Sequence, residues 1–331
     1  VKNSPQFSII MPSFNVSETV ERAIRSVLGQ SVDDFELIIV NDASTDNTLE
    51  IVNAIAEQAA DSRIRVIDLP QNIGLSGVRN TGLDAAVGIF VTFLDADDEY
   101  LPNFLSAHLG SLDDNVDISI VGHNVIRTDG SATPRHSEFV GELSGLDAMK
   151  AAMLDQIFPF TWDKVYRRTL FEGVRYPLGS TRFEDMTVNI ILYPRARLVR
   201  SIESPLHRYY ISTGSLTWGR IPTQDDTGLA LAELEELLPA QYRSGKYMPF
   251  YASMHLLITM IVAQSAIMKL KHQPAAQKTI DECRKSLSMS RILATSRVKP
   301  KFAAAALLLK VAPSVFSKIY LRYSANRYGL D

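Results

Sequence analysis

Asp95-Ala96-Asp97 directly follows the apolar run Ile89-Phe90-Val91-Thr92-Phe93-Leu94, so two carboxylates stand at the end of a predicted buried strand, where an α/β sheet places its ligands. On an extended chain, residues i and i+2 point to the same side, so Asp95 and Asp97 could share one hard cation such as Mg²⁺ or Mn²⁺. An ion held by so few carboxylates keeps positions open for substrate phosphates, which points to a nucleotide-linked substrate. The triplet also reads as a solvated acidic turn, because Asp is common at strand ends. Its surroundings have to decide.

Short, apolar, β-rich segments predict strands over residues 7–11, 35–40, 64–67 and 89–94. Helical patterns lie between them at 17–28, 46–59 and 76–86, the last ended by Gly88. Alternating strands and helices predict right-handed βαβ units and a mainly parallel sheet covered on both faces. The turn after the first strand, Pro12-Ser13-Phe14-Asn15, contains neither GxGxxG nor GxxxxGK[ST]. Dinucleotide-binding and P-loop readings therefore lose their main support.

Four segments carry a resemblance: Ile9-Ile10-Met11-Pro12-Ser13-Phe14-Asn15, Glu36-Leu37-Ile38-Ile39-Val40-Asn41-Asp42-Ala43-Ser44-Thr45-Asp46, Asn72-Ile73-Gly74-Leu75-Ser76-Gly77-Val78-Arg79-Asn80 and Phe93-Leu94-Asp95-Ala96-Asp97-Asp98. In this order and spacing they resemble the donor half of the family 2 glycosyltransferases, inverting GT-A-fold enzymes that use nucleotide sugars. Trp162-Asp163-Lys164-Val165-Tyr166-Arg167-Arg168, then Phe183-Glu184-Asp185-Met186, then Tyr209-Tyr210 with Gly214-Ser215-Leu216-Thr217 resemble the acceptor half. The resemblance spans residues 7–220.

The resemblance implies a role for each matching position. Pro12, Ser13, Asn15, Asp42, Asn72, Gly74, Arg79, Asp95, Ala96 and Asp97 would contact the donor, with Asp97 on the metal, Asp95 on the ribose or sugar, and Asp98 supporting them. The usual Asp-Asp pair after the second strand is Asn41-Asp42 here, and the family uses its second member to accept a hydrogen bond from uracil N3. A carboxylate accepts from that imide N–H and repels cytosine's unprotonated N3, so Asp42 favours a uridine carrier. Asp42 and Asp46 also read as caps of the following helix.

Asp185 takes the position of the general base, accepting the acceptor hydroxyl's proton as an oxocarbenium-like transition state forms. Glu184 beside it is not expected to point the same way, and would orient a neighbour or the acceptor. Both acids also read as favourable dipole partners at a helix start. Arg79 and Asn80 would face the nucleotide or sugar, with Arg79 alternatively in a surface ion pair. Trp162, Asp163 and Lys164 suit sugar recognition, an aromatic face packing on C–H groups while charged groups bond hydroxyls. Trp162 as plain core is the other reading. His207, Tyr209, Tyr210, Ser215 and Thr217 fall where the family has a loop closing over the diphosphate, with Gly214 as its hinge.

A chain of 331 residues with 46% hydrophobic content is long enough for one large or two modest cores. The expected division is a GT-A domain over 1–220, split near 100 into donor and acceptor halves, and a helical region over 221–331. The single cysteine, Cys283, fits a reducing compartment, and no Cys/His cluster suggests zinc. No basic-then-apolar pattern opens the chain, so no secretion signal is expected. Residues 248–268 contain no Asp, Glu, Lys or Arg and are about long enough to span a bilayer. Ser253, His255, Thr259, Gln264 and Ser265 interrupt them, so a buried helix is expected, with His255 a core residue and not a ligand. Residues 227–238 read as the first helix of this region.

Charge is unevenly placed. From Arg291 onward eight Lys/Arg face only Asp331, giving +7, while the whole chain is −3 and the remainder −10. Residues 302–309 are apolar but far too short to span. A following helical pattern puts Val315, Phe316, Ile319, Tyr320 and Tyr323 on one face, with Lys318 and Arg322 elsewhere. Such a tail either lies on an anionic membrane surface, inserting Phe316, Ile319 and Tyr320, or packs on the protein with its basic face solvated.

Three functions follow as expectations. The first is an inverting, Mn²⁺- or Mg²⁺-dependent transferase moving sugar from a UDP-sugar to a glycan or lipid-linked acceptor, cytoplasmic and peripheral on the inner face of the membrane, with no nucleic-acid partner. The second is a sugar-nucleotide pyrophosphorylase, which would open with a Gly-rich basic loop that Pro12-Ser13-Phe14-Asn15 is not. The third is a silent carbohydrate-binding subunit, whose signature would be loss of Asp97 or Asp185, and both are present.

Overall fold

The computed structural model describes residues 4–59, 61–180, 182–211, 224–270 and 273–328. The chain forms two compact units, residues 1–149 with 156–212 and residues 150–155 with 213–331.

The first unit opens with the expected alternation: β1 (Phe7–Ser13), α1 (Val20–Leu28), β2 (Phe35–Asn41), α2 (Thr48–Ala59), β3 (Ile64–Asp68), α3 (Gly74–Ala85) and β4 (Phe90–Phe93). The four strands pair in parallel in the order β3-β2-β1-β4. Successive side chains point to opposite faces, and in β1, β2 and β4 both faces are covered. Ile9, Met11, Leu37 and Ile39 pack with Val20, Ile24, Val27 and Val52 of α1 and α2 on one face, while Ile38 and Val40 meet Val78 and Ala86 on the other. Gly88 sets the entry to β4: a Cβ there would lie 2.6 Å from the Ser8 amide nitrogen, so only glycine lets the chain pass.

The chain continues through β5 (Glu99–Tyr100), α4 (Phe104–Ser111), β6 (Val116–Ile126), β7 (Ala132–Arg135), β8 (Gly141–Ser144), α5 (Gly145–Met153), β9 (Lys164–Arg167), α6 (Glu184–Leu192) and β10 (Leu198–Tyr210). β9 enters antiparallel between β4 and β6, so the sheet is mixed and only its donor half is all parallel. β6 and β10 are parallel neighbours.

The second unit is helical: α7 (Gln224–Leu237), α8 (Met248–Lys269), α9 (Ala276–Ser286), α10 (Met289–Thr295), α11 (Pro300–Val311) and α12 (Pro313–Tyr328). Helix α8 lies within the stretch Gly245–Lys269, which is long and apolar enough to cross a membrane, yet 72% of its apolar window is buried inside the protein. It is the core helix of this unit, with Ser253 and His255 buried and Thr259, Gln264 and Ser265 half-buried. His255 packs against Tyr251, and burial, with Arg291 adding to it, pushes its imidazole down to about 3, so it is neutral.

Candidate active site

β4 stops at Phe93, and the Asp98 amide donates to the Asp95 carbonyl at 3.0 Å. The three acids therefore lie on a β-turn and not on extended chain, so the i, i+2 argument for a shared side does not describe Asp95 and Asp97. Hydrogen bonds fix the turn. Arg22 of α1 donates from Nη2 to the Asp97 carbonyl at 2.5 Å, pairs with Glu99 at 3.1 Å, and stacks 3.9 Å over the Tyr210 ring. Asp98 is buried; one oxygen accepts from the Tyr210 amide and the other faces His207 Nε2, both at 2.9 Å. Burial holds His207 near 3, so its imidazole is neutral, and burial also pushes Asp98 well above the usual carboxylate range.

Arg79 was expected to face the donor or a surface partner. It is instead 1% exposed, at the centre of three acids. Nη1 lies 2.6 Å from Asp185 Oδ1 and 3.2 Å from Glu184 Oε1, and Nη2 lies 3.2 Å from Asp95 Oδ1. Glu184 and Asp185 thus do converge, against expectation. Phe183 makes this possible: its φ of 66° at the start of α6 turns the chain so that both first-turn carboxylates meet one guanidinium. Asp185 Oδ2 also accepts from the Thr161 amide at 3.3 Å. Burial pushes both Asp185 and Glu184 above the usual carboxylate range, while Arg79 pulls them back.

Asp42 caps α3 and not the helix that follows it in sequence. Its two oxygens accept from the amides of Ile73 at 2.7 Å and Gly74 at 3.0 Å, where Gly74 takes a φ of 76°. Asn72 Nδ2 reaches the Asp42 carbonyl. Asp46 does cap α2, its Oδ1 accepting from the Thr48 amide and hydroxyl, while its Oδ2 accepts from the Ser17 amide in the turn after β1. Around them, Ser13 donates to the Val40 carbonyl, Asn15 accepts from the Thr45 amide, and Asn41 donates to Asp68. Pro12 stands opposite Val40 in the ladder. Ser13, Asn15 and Asn41 thus hold the β1 and β2 ends in place.

Several acceptor-half expectations change. Trp162 is 3% exposed, with its rings stacked between Phe160 and His207 and alongside Tyr209, so it has no open face for a sugar. Asp163 and Lys164 form a fully buried pair at 2.6 Å, with Lys164 Nζ also donating to the Phe158 and Phe160 carbonyls. Burial pushes Asp163 up to about 6 against the pull of Lys164. Asn80 clamps the Tyr176 backbone from both sides and does not face a ligand. His207, Tyr209 and Tyr210 belong to β10, not to a loop. Gly214, Ser215 and Thr217 lie outside the described residues.

Among the described residues no group of three His, Cys, Asp or Glu is placed to hold a metal ion. The acid turn nevertheless fits an ion that completes its shell from a bound ligand. Burial, then Asp98 and Asp95, push Asp97 up to about 7, and the nearby Arg22 spends its donors on a carbonyl and Glu99. A cation beside Asp97 would relieve that crowding.

Residues 8–177, just over half of the chain, match the family described as glycosyl transferase family 2. The chain is 29% identical over 236 residues to EpsH of Bacillus subtilis, covering 70% of this chain and 68% of EpsH. It is 34% identical over 178 residues to a GalNAc(5)-diNAcBac-PP-undecaprenol beta-1,3-glucosyltransferase of Campylobacter jejuni, covering 52% of this chain and 55% of that protein. This chain thus spans little more than half the length of that second relative. Its fold is shared with S. aureus TarS 1-349 in complex with UDP-GlcNAc, at a TM-score of 0.59 and 18% identity over 89% of this chain and 92% of that one. It is also shared with the mannosyltransferase PcManGT of Pyrobaculum calidifontis in complex with GDP-Man and Mn²⁺, at a TM-score of 0.55 and 16% identity over 100% and 89%. With the GT-A-type sheet and the matched motifs together, this chain belongs to glycosyl transferase family 2.

Proposed function

We propose that this chain is an inverting, metal-dependent transferase that moves a sugar from a UDP-sugar to a hydroxyl of a glycan or lipid-linked acceptor, in surface polysaccharide or glycolipid synthesis. The observation that carries this reading is the convergence of Asp95, Glu184 and Asp185 on the buried Arg79. It brings the end of the donor-half strand β4 to the acid at the start of α6. Family membership removes the pyrophosphorylase reading, and the intact Asp97 and Asp185 argue against a silent binding subunit.

In this reading Asp185 accepts the acceptor hydroxyl's proton while that oxygen bonds the anomeric carbon and the bond to the diphosphate breaks. General-base assistance of this kind contributes about 10²–10⁴-fold. Arg79 and the Thr161 amide orient the carboxylate, which retains further lone pairs for the hydroxyl. Asp97 and Asp95 would hold Mn²⁺ or Mg²⁺, which when bound neutralises charge on the leaving diphosphate. Asp42 offers its carboxylate to uracil N3–H, and its two amide partners keep it in register with α3. PcManGT carries a guanosine donor on the same fold, so the uridine preference rests on Asp42 and not on the fold. The lipid-linked acceptor is drawn from the Campylobacter relative, named for an undecaprenol-linked substrate.

The test pairs binding with turnover. UDP with Mn²⁺ should raise the melting temperature by mass action where CDP and GDP do not. Asp185→Asn should keep that donor-induced shift while its sugar transfer falls by about two orders of magnitude or more. Stabilisation by GDP and not UDP would overturn the donor reading. Near-normal transfer by Asp185→Asn would return Asp185 to a structural role.

A further inference from the structure

Among the described residues, seventeen large apolar side chains are exposed, and eight of them fall in the thirty-five residues from Met289 to Tyr323. That clustering is too tight to be the scattered exposure every soluble surface shows. The helices order it. On α11, Ala304, Leu307 and Val311 are exposed at i, i+3 and i+7, a single stripe. On α12, Val315 and Ile319 form the next apolar stripe, at i and i+4, flanked by the exposed Lys318 and Arg322. Leu293 and Val311 are each 67% exposed and Ile319 55%.

The expected inserting residues change accordingly. Phe316 is buried, and the Tyr320 hydroxyl turns inward to Met268 Sδ at 3.7 Å. Lys310 also turns inward, donating to the Leu287 carbonyl at 2.7 Å.

Charge identifies the occupant. Residues 283–330 contain no Asp or Glu, while Lys301, Lys318 and Arg322 are exposed beside the apolar stripes. A symmetric contact with a second copy would set basic faces against each other. An anionic bilayer matches both components, taking apolar side chains at the acyl boundary and cations at the phosphates. We propose that the exposed faces of α11 and α12 dock the protein on an anionic membrane leaflet. Val311, Val315 and Ile319 enter the interface while Lys301, Lys318 and Arg322 meet the headgroups.

The surface is independent of the donor site, so its test is independent of sugar transfer. The full chain should co-sediment with phosphatidylcholine vesicles containing one-third phosphatidylglycerol, and not with phosphatidylcholine alone. Salt should weaken binding without abolishing it. Val311→Glu/Ile319→Glu should lose at least about tenfold in affinity. Lys318→Gln/Arg322→Gln, which leaves the apolar stripes intact, should lose about fivefold per charge with an unchanged thermal unfolding curve. No binding by the full chain, or binding by both variants equal to that of the parent chain, overturns the proposal. Light scattering that shows a dimer broken by Val311→Glu/Ile319→Glu, with no vesicle binding by the parent chain, assigns the face to a second copy instead.

Discussion

Arg79 Nη1 and Asp185 Oδ1 stand 2.6 Å apart, joining residues 106 positions apart in sequence, with Arg79 1% exposed. An arginine buried among three acids leaves uncompensated carboxylates behind when it is removed. Arg79→Gln should therefore cost about 3–5 kcal/mol of stability, read by chemical denaturation. It also acts on the base. Burial already holds Asp185 high, and Arg79 opposes that; without the cation the carboxyl protonates at higher pH. A base works only when deprotonated, so the acidic limb of kcat/KM against pH should move upward in Arg79→Gln. Arg79→Lys should recover part of the charge effect but not the forked geometry. A superimposable pH profile would remove Arg79 from the positioning of Asp185.

Asp97→Asn should abolish metal-dependent UDP binding and leave the fold intact. The amide keeps the shape of the turn, whose ties run through the Asp97 carbonyl and through Asp98 rather than through the Asp97 carboxylate. It removes the charge that burial and two neighbouring acids push up to about 7, so the metal-free variant should melt no lower than the parent. Calorimetry decides the metal question: unchanged UDP affinity in Mn²⁺ would place the ion elsewhere.

Much of this arrangement is legible in the chain. Short, apolar, β-rich runs predict β1 to β4 and the helical patterns between them predict α1 to α3, because the central strands are buried on both faces of the sheet. The antiparallel entry of β9 is not legible, since Lys164–Arg167 carries no signal of which strand it will meet. Motif positions bring Asp95, Asp185 and Asp42 to notice, but not what each touches. Arg79 reads as a surface or ligand residue because a lone arginine is seldom buried. Only the fold, through the left-handed Phe183, shows that acids 16, 105 and 106 positions away neutralise it. Likewise Trp162-Asp163-Lys164 has the residue types of a sugar subsite, and packing alone reveals the stack and pair that fill it.

The Asp163–Lys164 pair distinguishes those two readings directly. Both side chains are fully buried, so Lys164→Met strands a carboxylate that burial already pushes up to about 6. The expected loss is about 3–5 kcal/mol, and replacing both partners as Asp163→Leu/Lys164→Met should recover much of it. A sugar-binding role predicts the opposite pattern: near-normal melting by both variants and an altered preference among donors or acceptors. Denaturation midpoints beside a donor panel separate the two.

Asp46 contributes one pH dependence to the stability of the donor half. Burial works against its ionisation, but the hydrogen bonds from Thr48 and Ser17 outweigh it and bring the carboxyl down to about 2 from an ordinary 3.8. A folded value below the unfolded one means the stabilisation is present above about pH 4 and is lost as the pH falls through about 2. Asp46→Ala should therefore cost about 1 kcal/mol near neutrality, the usual loss for an N-terminal cap. The difference between variant and parent should shrink as the pH falls from about 4 to 2. Because Asp46 also anchors the Ser17 amide in the turn after β1, Asp46→Ala should loosen that turn too. Amide exchange should quicken at Ser17 and Thr48 while β1 stays protected. Melting curves of parent and variant that run parallel across this pH range would show that the cap contributes no titrating stability.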